Sequence, residues 1–261
     1  MNDARLLYVT GASSGIGQAL ARRYLLAGWR VALVARREHT LARWVAQQEG
    51  YAGRCRVYTA DVRDVDAITT AGAACIAQLG VPDVVIASAG LSVGMDTAER
   101  GDLDVMRATL ETNLLGMAAT FQPFVQAMRE RGSGALVGVA SVAGIRGLPG
   151  HGAYCASKAG VIAYCESLRG ECRPFGVKVV TITPGYVDTA LTRNNPYDMP
   201  FLMQPDDFAD QAYQAISRGD SWRTIPWQMG VVAKLMRLLP NPLFDRLLAG
   251  RPRKPRQPAP D

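Results

Sequence analysis

Histidine and cysteine are scarce in this sequence of 261 residues, which contains two His and five Cys. His39 and His151 lie far apart and lack the paired acidic ligands of a metal site. The five cysteines form an odd set without a C-x-x-C pair, which fits neither a disulfide framework nor a zinc site. We therefore expect no resident metal and a reducing compartment.

Long apolar runs are also missing. The longest candidate, residues 135–145, falls short of the ~18 apolar residues that a membrane-spanning helix needs. Residues 1–5 have no basic leader followed by an apolar segment and a cleavage site. These absences favour a cytoplasmic protein.

The positive charge is concentrated at the C-terminus. The formal net charge is +6, and residues 251–261, with four basic residues and one acid, contribute +3 of it. No basic patch interleaved with aromatic residues accompanies this tail, so we expect no nucleic-acid partner. Its spacing by proline predicts a disordered, solvated end over residues 251–261.

Short apolar runs rich in Val and Ile alternate with longer segments of helical periodicity from residue 6 to about residue 183. Strands that are apolar throughout are typical of a parallel sheet covered by helices on both faces. The sequence thus predicts an α/β fold, namely a single-domain, Rossmann-like, doubly wound parallel sheet. No long linker divides the chain, so one catalytic domain is expected over residues 1–250.

The first predicted strand runs into the glycine-rich stretch TGASSGIG at residues 10–17. Gly11 permits a tight turn, Gly15 lets backbone N–H groups approach a pyrophosphate, and Gly17 removes a side chain where helix meets strand. A glycine turn with a purely structural role is the alternative. The same letters also fit the G-x-S-x-G elbow that presents the nucleophilic serine of a hydrolase. Such an elbow needs a second N–H donor for the oxyanion from a loop on an earlier strand, and Ser13 follows the first predicted strand.

Four further residues suggest catalysis. Tyr154 and Lys158 lie one turn apart at the start of a predicted helix, where the ammonium would lower the pKa of the phenol from its usual ~10. Ser141 ends a predicted strand, where open α/β sheets hold their ligands. Asn113 is a poor helix former inside a helix predicted over about 102–131. The structural alternatives are a surface Tyr–Lys pair, a capping serine and a solvent-facing asparagine.

With TGxxxGxG and YxxxK in this order, the chain resembles the short-chain dehydrogenase/reductase family, in its subgroup of roughly 250 residues. The resemblance extends to about Thr189. It implies that Tyr154 exchanges a proton with the substrate oxygen and that Ser141 hydrogen-bonds that oxygen. It also implies that Lys158 grips the nicotinamide ribose and that Asn113 holds a water in the proton relay.

The resemblance further implies a set of cofactor contacts after the first, third, fourth and sixth predicted strands. Ser88 stands where the family usually has Asn, which puts one stabilising contact in doubt. The implied residues, besides Tyr154 and Lys158, are Gly11, Ser13, Ser14, Gly15, Ile16, Gly17, Asp61, Val62, Ser88, Ala89, Gly90, Pro184, Gly185, Val187 and Thr189.

The end of the second predicted strand bears on the choice of cofactor. Enzymes that use NAD commonly place an acid there, but this chain has Ala35 followed by Arg36 and Arg37. Guanidinium groups bind a 2'-phosphate that a carboxylate would repel. The sequence therefore favours NADP(H) over NAD(H).

These observations predict an NADP(H)-dependent oxidoreductase that interconverts a carbonyl and a secondary alcohol. The alternative is a regulatory protein on the same fold that binds NADP without turnover; it would need the glycine loop but not the four catalytic positions. The resemblance also implies a homodimer or homotetramer.

The region after the sixth strand is predicted to form a substrate lid around residues 185–204. Its apolar residues, with two from earlier loops, favour an apolar ketone, aldehyde or 3-oxoacyl substrate. The candidate pocket or lid residues are Met95, Leu148, Tyr186, Tyr197, Met199, Phe201 and Met203.

The segment 227–249 is predicted to be amphipathic, with Lys234 and Arg237 opposite its apolar side. Packing on its own domain, packing on a second subunit and contact with a membrane surface, which Trp222 and Trp227 would aid, all fit this pattern. The apolar side comprises Val231, Val232, Leu235, Met236, Leu238 and Leu239.

Overall fold

The computed structural model describes residues 4–48, 50–193 and 195–256. Seven strands form one sheet in which every neighbouring pair is parallel. The strands are β1 (Leu6–Thr10), β2 (Arg30–Ala35), β3 (Cys55–Thr59), β4 (Val84–Ala87), β5 (Gly134–Val139), β6 (Val177–Pro184) and β7 (Trp222–Ile225).

The strand order is β3-β2-β1-β4-β5-β6-β7. The order reverses between β1 and β4, whose carboxyl ends lie side by side because Thr10 pairs with Ala87. In open parallel sheets this reversal opens a crevice for ligands. The predicted doubly wound parallel sheet is confirmed.

Helices connect the strands and cover both faces of the sheet. They are α1 (Gly15–Leu26), α2 (Glu38–Ala46), α3 (Val65–Leu79), α4 (Asp102–Leu110), α5 (Gly116–Arg131), α6 (Gly152–Cys172), α7 (Pro205–Arg218), α8 (Trp227–Leu238) and α9 (Asn241–Leu248).

Two apolar cores lie on opposite faces of the sheet. On one face, side chains of α1, α2 and α7, including Leu20, Leu41 and Phe208, pack against alternate strand residues. On the other face, α3, α5 and α6 bury residues such as Phe121 and Val161. Strands between two such layers must be apolar on both sides, which explains their uniform composition.

The helix predicted over about 102–131 is helical along its length but changes its hydrogen-bond pattern near the middle. It divides into α4 and α5 around a π-helical turn, Glu111–Leu115, and Asn113 lies inside that turn. A π-helical turn contains one extra residue and redirects side chains, and such turns are frequent at functional sites.

The C-terminal segment consists of two helices, α8 and α9. Arg146, in the loop after β5, anchors their junction: its guanidinium donates to the carbonyl of Leu239 at 2.6 Å and to Asn241 Oδ1 at 3.1 Å, and it lies over the ring of Phe244. The predicted apolar side of α8 is only partly covered, since the buried residues of this helix are Met229 and Ala233.

The tail does not behave as predicted between residues 251 and 256. Arg256 pairs with the carboxylate of Asp102, with Nε 2.7 Å from Oδ2, and its backbone forms a parallel bridge with Gly94. Lys254 Nζ donates to Ser92 Oγ at 3.1 Å and to the Leu191 carbonyl at 2.9 Å. The expectation of a disordered end is therefore wrong for these six residues, because composition does not reveal such partners; residues 257–261 lie outside the described chain.

Among the described residues, no helix combines the length and the apolar character that crossing a membrane requires.

The ion pair between Arg256 and Asp102 leads to the first prediction. Hydrogen bonds from Arg256 hold the pKa of Asp102 below its usual range, so the pair is charged at neutral pH. Asp102→Asn removes the negative charge, and we expect trypsin to cleave after Arg253 several-fold faster. Asp104→Asn, two residues away on the exposed side of α4, is the control and should leave the cleavage rate unchanged. Equal rates for all three proteins would show that this pair does not hold the tail.

Candidate active site

A cleft of about 280 Å³ opens at the carboxyl ends of the central strands. Every residue predicted to bind the cofactor lines it, as do Ser141, Tyr154 and Lys158. Asn113 is the exception among the predicted site residues, because it is buried behind the wall of the cleft. Parallel strands end at the same edge of the sheet, which brings together loops that are far apart in sequence.

The glycine loop shows why side chains are excluded at its first and last glycines. Gly11 has a φ of +69°, and a β-carbon added there would lie 2.8 Å from the backbone of Ala89 in the loop after β4. A β-carbon on Gly17 would collide with the carbonyl oxygen of Gly11. The turn and the approach of the two loops therefore both require glycine.

The start of α1 fits a negatively charged group. Ser14 is the N-cap residue, but its side chain makes no capping hydrogen bond, and the first turn contains no acidic residue. The N–H groups of that turn, together with the positive end of the helix dipole, face the cleft that Gly15 lines. The residues present thus fit a pyrophosphate, which supports the predicted dinucleotide site.

Basic side chains gather at the end of the cleft formed by β2 and β3. Arg36 and Arg37 line it, and Arg36 Nη1 lies 3.7 Å from Asp61 Oδ2. Burial acts to raise the pKa of Asp61, but hydrogen bonds from Arg63 and the charge of Arg36 outweigh it, and the pKa is lowered. Asp61 is therefore ionised at neutral pH.

Sequence reasoning missed two residues of this site. Arg63 holds Asp61 through its side chain and its backbone N–H, which donates to Oδ1 at 2.9 Å. Thr10 Oγ1 accepts hydrogen bonds from the backbone N–H groups of Ser88 and Ala89 at 3.2 and 3.4 Å, and so joins the β1 and β4 loops. For Thr10, its place at the start of the glycine motif could have indicated a role in the site. For Arg63, the only such signal was its position next to the Asp61-Val62 pair.

Ser141, Tyr154 and Lys158 meet near the middle of the cleft. The Lys158 ammonium donates to the carbonyl of Val139 at 2.7 Å and lies 5.9 Å from the centre of the Tyr154 ring. Ser141 Oγ accepts a hydrogen bond from the backbone of Ala143 at 3.2 Å, so the structural reading of this serine as a cap also holds.

The pKa of Tyr154 differs from the sequence-based expectation. Burial raises it, and the hydrogen bond with Ser141 acts in the opposite direction. The expected lowering by the neighbouring ammonium is thus not found. Burial also lowers the pKa of Lys158 to about 8, so desolvation governs both groups. In this state Tyr154 is protonated at neutral pH and suits the role of a proton donor.

Asn113 connects three segments around the cleft. Its Oδ1 accepts a hydrogen bond from the backbone N–H of Leu91 at 2.7 Å, and its Nδ2 donates to the Leu91 carbonyl and to Ser157 Oγ, both at 2.9 Å. A solvent-facing asparagine is therefore excluded. The π-helical turn aims this amide at the loop after β4 and at α6.

Aromatic residues flank the outer side of Tyr154. His151 Nε2 lies 3.2 Å from the hydroxyl of Tyr197, and the rings of Tyr197 and Tyr186 are 6.4 Å apart. Burial raises the pKa of Tyr197 to about 12, with smaller contributions from Tyr186 and Tyr154. Tyr197 is therefore neutral, and the groups on this side of Tyr154 are aromatic, with the charges of Lys254 and Arg251 acting on His151 and Tyr186.

Three of the other pocket or lid candidates divide between two places. Met95 is buried, and its sulfur accepts a hydrogen bond from the backbone of Ala153, next to Tyr154. Phe201 and Met203 instead line a separate groove with Trp227. A parallel bridge between Val187 and Met203 joins the two ends of the segment 185–204. Residue 194 of the predicted lid lies outside the described chain.

Comparison with known proteins extends these observations. Residues 5–199 match the family model described as short chain dehydrogenase. An uncharacterised oxidoreductase of Myxococcus xanthus is 40% identical over 241 residues, which cover 92% of this chain and 95% of that protein. D-threitol dehydrogenase of Mycolicibacterium smegmatis is 38% identical, with 72% of each chain covered.

Solved structures include actinorhodin polyketide ketoreductase with NADPH. It is 30% identical to this chain, superposes with a TM-score of 0.78, and the match covers 86% of this chain and 97% of the ketoreductase.

The packing of the glycine loop leads to the second prediction. We expect Gly17→Ala to lower the free energy of unfolding by about 1–3 kcal/mol, because the added methyl group must push the turn apart. Gly170→Ala is the matched control: its methyl group would meet nothing within 4 Å in α6, and we expect a gain of up to about 1 kcal/mol. Urea unfolding measures both. A Gly17→Ala protein as stable as the parent would contradict the close approach seen here.

Proposed function

The chain belongs to the short-chain dehydrogenase family, and on that premise we propose that it is an NADP(H)-dependent oxidoreductase that interconverts a ketone or aldehyde with an alcohol. The observation that carries this proposal is the meeting of Ser141, Tyr154 and Lys158 in the cleft that the glycine loop lines. A regulatory protein that only binds the nucleotide would not need these three side chains together.

The cofactor would lie along the cleft with its pyrophosphate at the start of α1. The adenosine ribose would reach Arg36 and Arg37, and the nicotinamide ribose would meet Lys158. Val187 and Thr189, after β6, would contact the nicotinamide. When bound, the nicotinamide supplies or accepts the hydride in the reaction.

Tyr154 would donate the proton in the direction of carbonyl reduction. Its phenol is protonated at neutral pH because burial raises its pKa. The Ser141 hydroxyl would donate a hydrogen bond to the carbonyl oxygen and stabilise the negative charge that develops there. The proton then moves from the Tyr154 hydroxyl to that oxygen.

Lys158 would stabilise the tyrosinate that proton donation leaves behind. Its ammonium is held by the Val139 carbonyl, and with a pKa of about 8 it carries its charge at neutral pH. Asn113 would position the wall of the site through Leu91 and Ser157. By resemblance to the family, Asn113 would also hold a water that returns a proton to Lys158.

NADP(H) is the proposed cofactor because positive charge surrounds the place where a 2'-phosphate would lie. Arg36, Arg37 and Arg63 line that end of the cleft, and Ala35 stands where NAD enzymes commonly carry an acid. The actinorhodin ketoreductase with NADPH supports this choice.

We propose an apolar carbonyl compound as the substrate. Tyr197 lies near Tyr154, Tyr186 lies against Tyr197, and Met95 contacts the backbone of Ala153, so aromatic and thioether groups stand beside the proposed proton donor. The segment 185–204 would act as the lid over this substrate.

We also propose a cytoplasmic homo-oligomer with one catalytic domain over residues 1–250. The free cysteines of the described chain suit a reducing compartment. Leu115 and Tyr164 are exposed on the helical layer of α4, α5 and α6, which offers apolar area to a second subunit.

Replacement of the proposed proton donor gives the third prediction. Tyr154→Phe removes only the hydroxyl, so we expect NADPH-dependent reduction of a panel of ketones, aldehydes and 3-oxoacyl compounds to fall at least about 100-fold. NADPH affinity should change little. Tyr164→Phe, on the same helix but at the surface, should retain full activity. A Tyr154→Phe enzyme as fast as the parent would remove Tyr154 from the reaction.

Charge removal at the adenosine end gives the fourth prediction. The double variant Arg36→Ala/Arg37→Ala should bind NADPH about 10- to 100-fold more weakly, because a 2'-phosphate loses two charged partners. Its affinity for NADH, which lacks that phosphate, should stay within about threefold. Arg43→Ala, at the exposed end of α2, should change neither affinity. Parallel losses for NADPH and NADH would mean that the arginines do not select the phosphate.

A further inference from the structure

One side of α8 exposes a continuous apolar stripe that the fold does not use. Trp227, Val231, Leu235 and Leu238 are exposed to 63%, 47%, 60% and 80%. Because successive residues of a helix turn by about 100°, these four positions fall within about 80° of one another. They therefore form one stripe along the whole length of α8.

The opposite side of the same helix packs on the protein, so α8 is apolar on two sides. Met229 and Ala233 are buried, and Val232 and Met236 are half-buried. Arg146 fixes the end of α8 through the carbonyls of Met236 and Leu239. The helix thus cannot rotate its exposed side inward without losing contacts that it already makes.

The stripe continues onto the C-terminal end of the segment 185–204. Phe201 and Leu202 are exposed, and with Met203 they line a shallow groove that Trp227 completes. Phe201 has a φ of +57°, a conformation that residues with a β-carbon rarely adopt. This geometry holds an aromatic side chain outward beside Trp227.

The charges beside the stripe are positive. Lys234 and Arg237 are exposed on α8, and this helix contains no acidic residue. Neither cation forms a salt bridge within the part of the chain that the structure describes. From Ser221 to Arg256 the sequence has eight basic residues and one acid, Asp245.

These positive charges favour one of two possible occupants of the stripe, which are a second copy of the chain and a lipid bilayer. A symmetric contact of two copies through α8 would bring Lys234 and Arg237 of both copies into one interface, and no acidic residue of α8 would offset them. A bilayer with anionic headgroups supplies both an apolar layer for the tryptophan and leucine side chains and negative charge for the cations.

We propose that α8 and the C-terminal end of the segment 185–204 form a docking surface for an anionic lipid membrane. The surface consists of Phe201, Leu202, Trp227, Val231, Leu235 and Leu238, with Lys234 and Arg237 at its edge. It places the lid of the proposed substrate site against the lipid, but the docking itself does not depend on the proposed reaction.

Vesicle sedimentation with the full chain tests the surface without any measurement of turnover. We expect the protein to sediment with vesicles of phosphatidylcholine and phosphatidylglycerol, less with phosphatidylcholine alone, and less as salt rises. Leu235→Ser/Leu238→Ser should lower the partition coefficient about tenfold. The matched control is Leu26→Ser/Leu103→Ser, which replaces leucines that are 56% and 44% exposed on α1 and α4 and should bind like the parent.

Three results would overturn the proposal. They are the absence of sedimentation with either vesicle, equal sedimentation of the parent and the α8 variant, and equal sedimentation with neutral and anionic vesicles. Light scattering after gel filtration supplies a fourth: if Leu235→Ser/Leu238→Ser converts a larger assembly into a smaller one, the stripe is a subunit contact. Circular dichroism of each variant confirms that it is folded, and urea-unfolding midpoints allow stability to be matched between the variants.

Discussion

The parallel pairing of β1 with β4 is the constraint on which the site depends. It sets the carboxyl ends of two strands side by side, with Thr10 opposite Ala87, although 77 positions separate them in sequence. The loops that follow then approach so closely that Gly11 has no room for a β-carbon. Thr10 joins the two loops by accepting hydrogen bonds from both N–H groups at the start of the β4 loop. A slip in this pairing would displace both walls of the cofactor cleft together.

Desolvation sets the protonation of the proposed catalytic groups. The cleft buries Lys158 against a backbone carbonyl and keeps the phenol of Tyr154 neutral, since burial disfavours the charged form of each. The sequence pattern had suggested the reverse for Tyr154, because spacing along a helix indicates proximity but not the loss of water around both groups. A neutral tyrosine beside a charged lysine is suited to give up its proton once a substrate oxygen gains negative charge. This protonation state is the one from which the proposed reduction step starts.

The C-terminal region connects two parts of the molecule that the sequence treats separately. Arg146 joins the junction of α8 and α9 to the loop after β5, close in sequence to Ser141. Lys254 and Arg256 lie against the loops around Ser92, Leu191 and Asp102. The last described residues thus belong to the rim of the cleft, while the outer side of α8 remains exposed. In the proposed arrangement the membrane would meet α8 and the adjoining C-terminal end of the segment 185–204.

The sequence by itself determined the parallel α/β fold, the glycine loop and the order of the motifs. These follow from local physics: apolar strands, helical periodicity and positions that tolerate only glycine appear as patterns along the chain. It also indicated a disturbance in the helix around Asn113, since asparagine is a poor helix former. Only the tertiary structure decided where the Asn113 amide points and that Arg63 supports Asp61. It also decided that residues 251–256 pack on the rest of the chain and which side of α8 stays exposed. Each of these depends on contacts between residues distant in sequence, and such contacts leave no periodic signal in the chain.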